Sequence, residues 1–116
     1  MTYDAYDVVV VPFPFTDRST SKRRPAVVLS DSSAFNEAVD QSVLAMITSR
    51  SNEAWPLDVP IEDLDAAGLP APSMVRMKLF TLDHQLILRK AGRLAQEDQR
   101  KLRDMLGRLL RFPDTR

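Results

Sequence analysis

The 116-residue chain contains no cysteine and a single histidine, His84. The first absence excludes disulfides, cysteine-ligated zinc and a thiolate nucleophile. The second excludes a two-histidine acid/base pair, or a histidine-based metal motif, within one chain. Only three glycines are present, Gly68, Gly92 and Gly107, and they are too widely spaced to write a P-loop or a dinucleotide fingerprint. No apolar stretch approaches the roughly 18 residues of a membrane span. The N-terminal segment is acidic, and its apolar run stops at Pro12, unlike an export signal. Lys+Arg and Asp+Glu number 16 each, so the formal net charge is zero, which argues against a generic polyanion binder. A cytoplasmic protein without cofactor is the expectation.

The charge is not evenly spread. Residues 1–60 are net acidic and 61–116 net basic, with the basic excess concentrated in 73–111. A local cationic face is therefore compatible with overall neutrality. With 44% hydrophobic residues, no repeat and no linker, the chain reads as one domain over 1–116.

Tyr6–Phe13 carries four consecutive valines, a β-branched run expected as a strand buried on both faces. Pro12 and Pro14 end its regular pairing. Polar Phe15–Lys22 reads as a loop. Pro25–Ser30 and Ser42–Ser49 read as the second and third strands. Between them Asp31, Ser32 and Ser33 offer caps for a short helix or an irregular bulge over 31–40. Leu57–Ile61, between Pro56 and Pro60, reads as a short edge strand, followed by a turn over Asp65–Pro72. Ser73–Phe80 and Gln85–Leu94 read as two further strands, with His84 an exposed turn residue between them.

Near 96 the period changes. Leu102, Met105, Leu106, Leu109 and Leu110 share one helical face, with acidic residues in the first turn and arginines in the last. Gly107 within this helix is expected to mark a close contact. The predicted architecture is mainly β, with strands over about 6–94 and a C-terminal helix over about 96–111. It amounts to a small, strongly bent sheet or partly open barrel.

Three segments offer chemistry. Lys22-Arg23-Arg24-Pro25 joins a polar loop to a strand, where a planar guanidinium suits phosphate oxygens; composition alone favours a solvated basic loop. Thr48-Ser49-Arg50 leaves the end of an apolar strand with two hydroxyls and a guanidinium that can bind phosphate. Strand alternation puts Arg76 and Lys78 on one face, able to track a nucleic-acid backbone. Trp55, Phe13 and Phe15 can stack on bases, although aromatics at strand ends more often belong to the core. No Asp/Glu/His cluster has metal-ligand spacing. A site of arginine and hydroxyls without metal suits RNA, whose own 2′-hydroxyl supplies a nucleophile. Arginine, with a pKa above about 12, fits phosphate stabilisation rather than the role of base.

Taken in order, these segments resemble the MazF/PemK family of toxin endoribonucleases. The matching stretches are Asp-Val-Val-Val-Val-Pro-Phe-Pro-Phe-Thr-Asp (7–17), Lys-Arg-Arg-Pro-Ala-Val-Val-Leu (22–29) and Leu-Ala-Met-Ile-Thr-Ser (44–49). Trp-Pro-Leu-Asp-Val-Pro-Ile (55–61), Ala-Gly-Leu (67–69) and Ser-Met-Val-Arg-Met-Lys-Leu-Phe-Thr-Leu-Asp (73–83) continue the match. The resemblance implies an SH3-like, partly open barrel working as a homodimer. It implies metal-independent, sequence-specific cleavage of single-stranded RNA to a 2′,3′-cyclic phosphate and a 5′-hydroxyl, and inhibition by a cognate antitoxin. It places the catalytic arginine at Arg24 and the strand-end threonine at Thr48, with Ser49 and Arg76 at substrate-binding positions. Lys22, Arg23, Arg50 and Lys78 join the substrate-binding set by charge.

Some positions depart from the family pattern. Tyr6 stands where many members have glycine. The loop 15–22 lacks the histidine that some members use, and Lys78 stands at the place of their aspartate, so the Arg24/Thr48 form of the site is expected. The competing readings are a CcdB-like toxin that binds gyrase and cleaves nothing, and a degenerate RNA-binding member.

Overall fold

The computed structural model describes residues 2–13 and 22–111. The expected loop 15–22, apart from Lys22, and the tail 112–116 lie outside the described residues. Six strands form one antiparallel sheet: β1 (Asp7–Pro12), β2 (Arg23–Val28), β3 (Gln41–Ser49), β4 (Val59–Pro60), β5 (Ser73–Asp83) and β6 (Arg89–Arg93). Their order is β4-β5-β3-β2-β1-β6, curved into a half-barrel. Among the described residues there are three α-helices: two short ones, α1 (Glu37–Val39) and α2 (Leu64–Ala67), and the longer α3 (Gln96–Leu109).

Alternation along the strands divides the core in two. Val8, Val27, Ala45, Ile47 and Val75 point to the face covered by α3, where Leu102 is fully buried and Met105 and Leu106 pack against them. Val9, Val11, Ala26, Val28, Leu44 and Leu82 point to the opposite face. The valine run of β1 thus feeds both layers, as a β-branched strand buried on two sides should. The apolar stripe of α3 outruns the sheet: Leu109 and Leu110 remain exposed, and Leu110 lies past the helix end.

The barrel edges β4 and β6 do not pair. The gap is bridged where α2 lies against β6. Gly68 ends α2 at φ +72°, and a Cβ there would overlap the Ala91 carbonyl; a Cβ on Gly92 would overlap the backbone of Ala66 and Ala67. Both glycines permit this approach of backbone to backbone. Gly107 differs from expectation: a Cβ there would meet nothing within 4 Å, because the residue faces open space on α3. Buried Asp98 of α3 accepts from the backbone N–H groups of Glu62 and Asp63, both at 3.1 Å, and so ties the helix to the segment after β4.

Several boundaries moved. Residues 31–39 hold a π-helical turn (Ser32–Asn36) running into α1, capped by Asp31 accepting from Ala34 N–H at 2.8 Å. The turn expected over 65–72 begins as α2, capped by Asp63. β5 runs on to Asp83, and β6 is shorter than expected because a 3-10 turn occupies His84–Leu86. His84 is no exposed turn residue. Its side chain is 7% exposed, with Nδ1 3.0 Å from Asp40 Oδ1, Nε2 2.7 Å from Ser42 Oγ, and its ring edge-on to Tyr3. Two hydrogen-bonding partners and an aromatic neighbour accommodate its burial in a way that spacing alone does not reveal.

Candidate active site

Where the second core layer runs out toward one end of the sheet, side chains of three strands, joined by Phe13 just past the end of β1, converge on a cavity of about 310 Å³. On β2, Arg24 follows the parity of Ala26 and Val28; it pairs with Val11 of β1, and Phe13 lies just beyond. On β3, Thr48 follows Leu44 and Met46. The printed β2–β3 register ends at Ala26↔Met46, and two further residues along it place Arg24 opposite Thr48. Both line the cavity, with Phe13, Arg76, Lys78 and Phe80 among its other walls.

A bulge supplies the cations from β5. Between the pairs Ala45↔Leu79 and Ile47↔Val75, β3 contributes only Met46 while β5 contributes Arg76, Met77 and Lys78. Such an excess bends the strand and re-aims its side chains. Met77 turns to the α3 layer, and Arg76 and Lys78 stand on the cavity side.

The two arginines differ in state. Arg24 is exposed, its guanidinium carbon 5.1 Å from the centre of the Phe13 ring. Among the described residues, no carboxylate lies within salt-bridge distance of Arg24 or Lys78, so their charge is available to an anion. Arg76 is buried and engaged. Its Nη2 donates to Asp58 Oδ2 at 3.0 Å and to the Glu53 carbonyl at 2.6 Å, and its Nε to Asp58 Oδ1 at 3.3 Å. Burial raises the Asp58 carboxyl, but the bonds from Arg76 and from Trp55 N–H prevail and hold it below its ordinary value of 3.8. Arg76 thus forms part of the wall rather than a free anion ligand.

Thr48 Oγ1 accepts from Asn52 Nδ2 at 2.6 Å, which leaves its O–H to donate elsewhere. Asn52 escaped the sequence reading; an amide four residues beyond a strand-end threonine was its only trace. Ser49, Arg50, Lys22 and Arg23 are exposed and do not line the cavity. Ser49 and Arg23 have the opposite strand parity, and Ser49 Oγ instead meets Ser51 Oγ at 2.8 Å. Arg50 lies past the end of β3, its backbone N–H bonded to the Pro72 carbonyl. Of the eight residues singled out, the fold gathers Arg24, Thr48, Arg76 and Lys78. Among the described residues, no three His, Cys, Asp or Glu side chains come together as a metal site.

A family model for PemK-like, MazF-like toxins of type II toxin–antitoxin systems matches residues 4–110. The chain belongs to that family. No match was found among the curated proteins. Among solved structures, MazE–MazF of Deinococcus radiodurans is similar with a TM-score of 0.74 at 22% identity, covering 97% of this chain and 99% of that one. An endoribonuclease in complex with its cognate antitoxin from a mycobacterial species gives 0.75 at 17% identity, covering 97% of each chain. The Mycobacterium tuberculosis toxin MazF-mt6 gives 0.69 at 19%, covering 88% of this chain and 93% of that one. At these identities the likeness is one of fold. Tyr6, just before β1, has φ +75°, a conformation that glycine adopts without strain. Lys78, at the place of some members' aspartate, adds positive charge to the cavity wall.

Proposed function

We propose that the protein is a toxin that cleaves single-stranded RNA without a metal ion, with Arg24 and Thr48 as its catalytic residues. The observation that carries this reading is that an arginine with no carboxylate partner among the described residues, and a strand-end threonine from the adjacent strand, line one cavity. With Lys78 beside them, the wall is cationic and hydroxylic, a donor set that suits a phosphodiester and disfavours a divalent cation.

The substrate's 2′-oxygen attacks the adjacent phosphorus. The 2′-O–P bond forms, the P–O5′ bond breaks, and a proton passes overall from the 2′-hydroxyl to the departing 5′-oxygen. The products are a 2′,3′-cyclic phosphate and a 5′-hydroxyl. Arg24 stabilises the charge that builds on the non-bridging oxygens and is the proton donor proposed for the leaving oxygen; Thr48 O–H donates to the same phosphate. The base is left unassigned, because arginine is a poor general base. Lys78 holds a phosphate of the bound strand; Arg23, Lys22, Ser49 and Arg50, outside the cavity, would meet RNA only beyond the scissile step.

The antitoxin complexes of similar fold support a cognate antitoxin as partner, and family membership supports a homodimer acting in the cytoplasm. Among the described residues no helix is long and apolar enough to cross a membrane. The test is incubation with a long unstructured RNA in EDTA, with mapping of the cut ends. Cuts at a recurring short sequence, bearing cyclic phosphates, are expected. Intact RNA in the presence of a folded dimer would overturn the reading.

A further inference from the structure

Trp55 is the only tryptophan of the chain, and it is 44% exposed. Large exposed aromatics are usually loosely held, but this one is fixed from several sides. The Arg76 guanidinium carbon lies 4.6 Å from the centre of the indole, and Lys78 Nζ lies 5.7 Å from it. Arg76 is itself clamped by Asp58 and the Glu53 carbonyl, so the cation against the ring is buried and immobile. The ring's backbone is fixed as well. Trp55 N–H donates to Asp58 Oδ2 at 2.7 Å, and Asp58 N–H closes the turn on the Trp55 carbonyl at 3.3 Å. Pro56 and Leu57 form the centre of that turn, with Leu57 at φ +68°, a left-handed conformation costly for a branched side chain. One carboxylate therefore sets both the turn that carries the indole and the guanidinium that supports it.

Both cations that touch the indole, Arg76 and Lys78, also line the cavity, so the ring stands beside the cationic wall. A rigid π surface next to phosphate-binding charge is the combination that receives an unpaired base while its backbone runs along the cations. We infer that Trp55 is a stacking platform for one unpaired base flanking the scissile phosphate, and so a determinant of substrate affinity. This rests on the RNA reading above.

The single tryptophan makes the test direct. Titration of the full-length protein with a non-cleavable 2′-O-methyl oligonucleotide of the mapped cut sequence should quench the indole emission to saturation. Trp55→Ala should raise KM about 5- to 150-fold, the range for loss of one stacked base, and leave kcat within about threefold. Trp55→Phe should recover most of the loss. Trp55→Leu, which keeps apolar bulk without a π face, should not; circular dichroism checks that each variant folds. RNA cleaved by the wild type, with no quenching and an unchanged KM in Trp55→Ala, overturns the platform and leaves the proposed function standing. Equal rescue by Leu and Phe also overturns it, since packing then suffices. A folded wild type that cuts no RNA overturns both.

Discussion

Replacing Asp58 with alanine should be among the most damaging single changes near the cavity. The Arg76 and Asp58 side chains are 10% and 8% exposed. Removing one partner of so buried a pair strands the other charge, at a cost of about 3–5 kcal/mol. Arg76 keeps its bond to the Glu53 carbonyl, which places the expected loss near the lower end, about 3 kcal/mol. For a domain of this size that corresponds to a fall in Tm of roughly 10–15 °C. Urea denaturation followed by circular dichroism measures the loss, and Trp55 emission should shift to the red as its turn opens. Arg76→Met removes the stranded cation, so Asp58→Ala/Arg76→Met should be more stable than the sum of the two losses by at least about 1.5 kcal/mol. The advantage of wild type over Asp58→Ala must also depend on pH with a fixed sign. The Asp58 carboxyl titrates lower when folded than its ordinary 3.8. Its stabilisation is therefore complete above that value, and declines as pH falls below about 4 and through the folded value. Losses that add without coupling, or an advantage that grows toward acid pH, would refute the clamp.

Arg24→Ala should lower kcat by about 100- to 1000-fold, the cost of removing one preorganised donor to a developing oxyanion, and Lys in its place should restore only part. Steady-state cleavage at saturating RNA measures both, and full activity in Arg24→Ala would remove it from the chemistry. Gly107→Ala should stabilise the protein by about 0.5–1 kcal/mol, because the helix gains a better former and the added methyl meets nothing within 4 Å; thermal melts that fail to rise would contradict this. At position 6 the usual order inverts: Tyr6→Gly should be more stable than Tyr6→Ala by about 1 kcal/mol. The reason is that Tyr6 N–H is bonded to Val28 O and Tyr6 O to Leu94 N–H, so φ cannot relax. Equal stabilities in urea would show that the backbone does relax.

The sheet was legible because its signals are local. The valines of β1 and the apolar stretches of β2 and β3 announce strands wherever they pair, and the Leu102–Met105–Leu106 spacing announces α3. Arg24 and Thr48 were legible as strand-boundary residues, and parity then brought them to one cavity. The state of Arg76 was not legible. Its partner Asp58 sits eighteen positions earlier in sequence, and the β4–β5 register Val59↔Val75, continued by one residue, sets the two side by side. His84 was misread for the same reason: its partners Asp40 and Ser42 come from the far side of the β3–β5 pairing. Trp55 looked like core because apolarity favours burial. Its exposure follows from the Pro56–Leu57 turn, which no periodicity encodes. The extra leucines 109 and 110 misled in the opposite sense, continuing a helical stripe beyond the sheet it covers.

The most direct test of the central claim uses an RNA oligonucleotide of the cleaved sequence with one 2′-deoxy nucleotide, placed 5′ to the scissile phosphate. Cleavage is followed in EDTA under single-turnover conditions, and binding is followed in parallel by Trp55 fluorescence. A substrate-supplied nucleophile predicts that the deoxy substrate binds within a few-fold of the all-ribose one and is not cut at that position, while the ribose control yields a 2′,3′-cyclic phosphate. Cleavage of the deoxy substrate at an undiminished rate would mean that the attacking group comes from elsewhere, and the roles given to Arg24 and Thr48 would fall with it.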